Sequence, residues 1–116
     1  MCLTRVTETF DPPSEETGFG WKVFVEQDEG YYNCPLFDCY LQVFFRKGIW
    51  VTDTHEGTLK GPYRTGFHLF VNYEDAVRWN ISPTGVHRVE YTNVVAKGTQ
   101  TFKAAVIVAR KIRIIG

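Results

Sequence analysis

No stretch of this chain approaches the roughly 18 consecutive apolar residues that a membrane-spanning helix needs. The opening residues Met1 to Arg5 hold no apolar run of the signal-peptide kind. The expectation is a cytoplasmic protein with no membrane partner. Cysteine is scarce: Cys2, Cys34 and Cys39 are too few, and of the wrong parity, for a disulfide framework, and are read as thiols. Cys34 and Cys39 form one ligand pair, but no matching second pair accompanies them among His55, His68 and His87. Tetrahedral zinc needs both pairs, so no metal is expected. An excess of charge is also missing. Lys and Arg together number 13, as do Asp and Glu, and the net charge is zero. Without a global field to gather a polyanion, nucleic acid is disfavoured as the main partner. The phosphate-binding loop, the dinucleotide fingerprint, the nucleophile elbow and the paired-histidine zinc motif are all absent from the sequence. No cofactor is expected.

What is present describes a folded domain. A hydrophobic fraction of 44% and a charged fraction of 22% over 116 residues suit one globular unit spanning 1–116. Aromatic residues make up 16%, which serves core filling or an aromatic binding surface. Residues 11–20, with Pro12, Pro13, three acids and Gly18, read as an extended arm or loop. Trp21 to Glu26 alternates as a strand, with Trp21, Val23 and Val25 on one face and Lys22, Phe24 and Glu26 on the other. Leu41 to Arg46 and Ile49 to Thr52 read as a hairpin turned at Lys47-Gly48. Residues 53–65 read as a surface loop.

Gly66 to Val71 reads as a strand running into a helix over 73–80. Asn72 is its N-cap, Asp75 stands in a capping-box position, and Ala76, Val77 and Trp79 form its buried side. The runs 87–96 and 101–115 read as a long hairpin turned at Lys97 to Gln100. On the last run Val106, Val108, Ile112 and Ile114 share one face, interrupted by Arg110, while Ala105, Ile107 and Ala109 share the other; apolar character on both faces marks a central strand. The expected fold is α+β: a curved, mainly antiparallel sheet with one short helix packed on it.

The segment Tyr63 to Phe70, followed by Glu74-Asp75-Ala76 and Trp79, resembles short uncharacterised phage and bacterial proteins with a Y-x-x-G-F-H-x-F, E-D-A-x-x-W core. That resemblance implies a phage or prophage origin and carries no known activity. The same strand-helix unit is similar, more weakly, to the middle of the ADP-ribosyltransferase fold, where it lines the nicotinamide dinucleotide cleft. Under that resemblance Glu90 is the late carboxylate, and Lys22 stands where the family uses His or Arg on an early strand.

Four residues are singled out as ligand-binding candidates: His68, Tyr73, Glu90 and Arg110. His68 either packs on a second layer or lines a cleft above the helix N-terminus. Arg64, Arg78, Arg88, Arg110, Lys111 and Arg113 read either as a basic surface beside that site or as ordinary solvated edge and face charges, with Arg110 set apart because its face is otherwise apolar. With no catalytic motif in view, the expectation is a small phage-type accessory protein that binds a host protein or a small anionic ligand. The alternative is a reduced ADP-ribosyltransferase-like domain with His68, Tyr73 and Glu90 in one cleft.

Overall fold

Two long strands at the end of the chain organise the rest. In the computed structural model, which describes residues 3–28, 31–33, 44–53, 66–79, 85–100 and 103–116, these are β7 (Gly85–Gln100) and β8 (Ala104–Ile114). They are preceded by β1 (Arg5–Ser14), β2 (Gly18–Asp28), β3 (Tyr31–Asn33), β4 (Phe44–Arg46), β5 (Val51–Thr52), β6 (Phe67–Phe70) and the helix α1 (Tyr73–Trp79). Each pairing is antiparallel, in the order β1-β7-β8-β6-β2-β3-β4, with β5 on β8. The expected α+β class, with a curved antiparallel sheet and one short helix, is what the structure shows. β8 is central, as its apolar faces required.

The curvature goes further than the sequence suggested. β2 pairs with β6 on one side and with β7 on the other, so β7, β8, β6 and β2 form a closed ring. β1 and β2 follow one another along β7: Arg5 to Ser14 oppose Thr99 to Val94, and Gly18 to Phe24 oppose Tyr91 to Gly85. Phe24, Phe45, Phe67, Leu69, Val89, Tyr91, Val94 and Ile112 fill the inside, where Phe45 meets Phe24 and Phe67 edge-on. Gly20 leaves room for Leu69, since a Cβ there would lie 2.2 Å from Leu69 Cδ1. On the outside α1 seats Ala76 and Trp79 against Phe70, Val106, Trp21 and Val86.

Several sequence expectations are corrected. The turn at Lys47-Gly48 exists, with Gly48 at φ 84 and Ile49 N–H donating to the Arg46 carbonyl at 3.1 Å. Yet β4 pairs with β3 and β5 with β8; tertiary partners prevail over the local hairpin. Gly48 N–H donates to Ile114 O at 2.7 Å, which fixes the handover. Lys97 to Gln100 is not the turn either. Those residues continue β7, paired with Ile107 to Ala104, and Arg5 and Val6 flank them on the other edge. Gly98 serves close approach rather than turning, because a Cβ there would lie 2.1 Å from the Arg5 carbonyl oxygen.

Residues 11–14 belong to β1 and 18–20 to β2, leaving 15–17 as the link. Proline is tolerated there because the register jumps between Thr9 and Ser14 on a strand at the end of the sheet order. In β8 the two expected faces are not continuous. Ile112 and Ile114 share the main core with Ile107 and Ala109, whereas Val106 and Val108 pack in separate clusters. The change falls at Arg110 and Lys111, beside the irregularity of β7 where Asn93 takes φ 59. On α1, Val77 faces solvent at 44% exposure and only Ala76 is fully buried. Asn72 does precede the helix, its carbonyl accepting from Ala76 N–H at 3.4 Å and its amide donating to the Asp75 carboxylate at 3.5 Å.

Candidate binding face

The four candidates from the sequence do not gather. His68 is buried within β6, and its register partner Val108 packs with Val95 and Ala96, so it occupies the second-layer position rather than a cleft. Tyr73 stands exposed on α1 with its ring edge-on to Trp21 at 4.9 Å. Glu90 on β7 is held by Arg113, whose Nε donates to Oε1 at 2.7 Å. Along β8 the partners of His68 and Glu90 are Val108 and Arg113, five residues apart. At about 3.3 Å per residue, that puts the two sites roughly 16 Å apart along the strand, in addition to the strand spacing. Arg110 is only half-buried, and its carbonyl accepts from Asp53 N–H at 2.7 Å. Among the described residues the fully buried cation is instead Lys22, whose Nζ donates to the His68 carbonyl at 2.7 Å. Cys2, Cys34, Cys39, His55 and Arg64 lie outside the described residues, as do 54–65 and Pro83.

What the fold does assemble is a row of side chains on the outer surface of β2, β7 and β8. Directly opposed residues of antiparallel strands share a face. The pairs Phe19↔Glu90 and Trp21↔Arg88 therefore stand side by side with Glu90↔Arg113 and Thr92↔Lys111. The Arg88 guanidinium sits over the Phe19 ring at 4.8 Å. Across the row Arg113 and Lys111 lie over the Trp50 ring at 4.8 and 5.4 Å. Trp21 and Tyr73 extend the aromatic series to α1. Phe19 remains 53% exposed despite its size. Arg88, Lys111 and Arg113 were legible as outward strand charges. Phe19 was missed because it fell in the segment read as a loop, and Trp50 because its partners are on β8.

A second polar cluster fastens the link between β1 and β2. Lys97 Nζ pairs with Glu16 Oε2 at 2.9 Å, and the Tyr91 hydroxyl donates to the same oxygen at 3.4 Å. The Thr92 hydroxyl donates to the Glu15 carbonyl at 3.5 Å. Burial holds the Tyr91 phenol above its ordinary pKa, the Glu16 carboxylate adds to this, and Lys97 opposes it. Lys97 is also raised, chiefly by its hydrogen bond to Glu16 and against the effect of burial. Each group here is engaged by the others, which suits anchoring rather than proton transfer to a substrate.

Among the described residues no three His, Cys, Asp or Glu side chains are grouped so as to hold a metal ion, and no helix is long and apolar enough to cross a membrane. No protein-family model, curated protein or solved structure matches the chain.

Proposed function

We propose that this chain is a small phage-type accessory protein that acts by binding a host protein, without catalysis of its own. The observation that carries this reading is the outer face of β2, β7 and β8, where Phe19, Trp21, Trp50 and Tyr73 alternate with Arg88, Lys111 and Arg113. Aromatic and arginine side chains are the residue types that dominate the energetics of protein interfaces. The phage origin rests on the sequence resemblance alone. Host-protein binding is preferred to a small ligand because the row is spread across three strands and His68, Tyr73 and Glu90 share no cleft. The test is affinity capture from a bacterial lysate with the immobilised chain and with a Phe19→Ala, Arg88→Ala double variant. A partner retained by the former and lost by the latter, at unchanged melting temperature, supports the reading; capture that ignores the double substitution rejects this face as the site.

A further inference from the structure

Resting on the binding role just proposed, we infer that the outer face of β2, β7 and β8 takes an extended acidic segment of the partner, bearing two carboxylates about four residues apart. The outward side chains of the strand pairs supply three cations, Arg88, Lys111 and Arg113, against one carboxylate, Glu90. This local excess is hidden in a chain whose net charge is zero. Acids elsewhere offset it, among them Glu8, Asp11, Glu15 and Glu16 on β1 and its link to β2, of which Glu16 is engaged by Lys97 and Tyr91.

Glu90 already engages Arg113, whereas Arg88 and Lys111 meet aromatic rings and no carboxylate among the described residues. Both cations are held in place by those rings. A guanidinium seated on an aromatic face keeps its N–H edges free for a bidentate carboxylate and loses little freedom on binding.

The spacing follows from the register. Arg88 lies beside Ile115, which donates its N–H to the Arg88 carbonyl at 2.9 Å, and Lys111 is four residues back along β8. At about 3.3 Å per residue the backbone positions of Arg88 and Lys111 are roughly 13 Å apart along the strand, the length of four extended residues. Positions i and i+4 of an extended segment point to the same side. Midway between them Glu90 and Arg113 neutralise one another, so the excess positive charge lies at the two ends of the row. That disfavours a single-stranded nucleic acid, which carries a charge at every nucleotide. The rings, moreover, already bear cations where bases would stack.

The experiment is fluorescence anisotropy with a labelled peptide holding two glutamates four residues apart, separated by neutral residues. A matching peptide with lysines in their place and a thymidylate single strand of about ten nucleotides serve as comparison probes. The glutamate peptide should bind, about tenfold more weakly to Arg88→Glu and to Lys111→Glu, and more weakly as salt rises. The lysine peptide should not bind. If Arg88→Glu fails to fold, Arg88→Gln takes its place, and the melting temperature of every variant is checked. Failure of the glutamate peptide to bind, tighter binding of the oligonucleotide, or indifference to both charge reversals would overturn the inference. Failure of the underlying reading shows separately, as partner capture that survives the Phe19 and Arg88 substitutions.

Discussion

Lys22 Nζ donates to the carbonyl oxygen of His68 at 2.7 Å, joining β2 to β6 where the closed ring has one registered pair, Trp21↔Phe70. A lysine is an improbable residue for the inside of a small domain, and Lys22 is 1% exposed. Its stem packs among apolar groups while its ammonium bonds across the seam.

Replacing Lys22 by Met keeps most of that stem and deletes the charged hydrogen bond. The expected loss is about 1–3 kcal/mol. Lys22→Ala, which also leaves a void, should cost more, about 2–5 kcal/mol. Denaturant unfolding of both variants measures the two losses; a Lys22→Met variant as stable as the parent would show that the seam does not depend on this bond.

His68→Ala should destabilise the fold by about 1–3 kcal/mol, because the side chain is 6% exposed within β6. Nicotinamide dinucleotide and ADP-ribose should shift the melting temperature of neither parent nor variant. A ligand-induced rise in the parent that the variant lacks would restore the reading of His68 as a binding group.

The anchor of residues 15–17 predicts a loss of stability in alkali. Tyr91 and Lys97 both have folded pKa values raised above their ordinary values of 10.0 and 10.5. A raised folded pKa contributes stability that is complete below the unfolded value and lost as pH climbs through the folded one. The two effects therefore have the same sign, and the melting temperature should fall as pH rises past about 10. Glu16→Gln removes the largest cause acting on Lys97 and part of that acting on Tyr91, so its melting temperature should vary less over that range. Thermal unfolding across alkaline pH, with tyrosinate absorbance followed in parallel, is the measurement; equal pH dependence in parent and variant would contradict the anchor.

Gly98→Ala places a methyl group 2.1 Å from the Arg5 carbonyl oxygen, a backbone atom that cannot swing aside. The cost should be about 1–3 kcal/mol, the range for overpacking. Amide exchange should show the loss in β1 pairing while the β7–β8 ladder stays protected. Exchange spread evenly through β7 and β8 would place the effect elsewhere.

The sequence was most readable where local pattern and tertiary demand coincide. The strand at Trp21 and the helix after Asn72 each lie where their own periodicity or cap places them, and β7 and β8 are the antiparallel neighbours expected, although their turn falls beyond Gln100. Reading failed where a residue answers to a strand distant in sequence. Gly98 looks like turn punctuation until β1 is laid against it, and Lys47-Gly48 looks like a hairpin turn until β5 is found on β8. Lys22 and Arg110 were misjudged for the same reason: alternation set Arg110 on an otherwise apolar face and Lys22 beside Phe24 and Glu26, and only closure of the ring decides that Lys22 is the one enclosed. The row proposed to bind was half legible, since its charges sit at alternate strand positions but their aromatic seats come from other parts of the chain.

Ring closure also constrains how the proposed partner would be recognised. Among the described strands β7, β8, β6 and β2 spend much of their backbone pairing capacity on one another. The ends of the sheet order are β1, interrupted by two prolines and a shifted register, and β4, three residues long. Such edges make poor templates for a visiting strand. Under the proposed binding role, affinity must then come from side chains on the outer surface rather than from a continuous main-chain ladder. Specificity in that case resides in the order of side chains along the partner, and single substitutions on either side can redirect it while the scaffold stays intact.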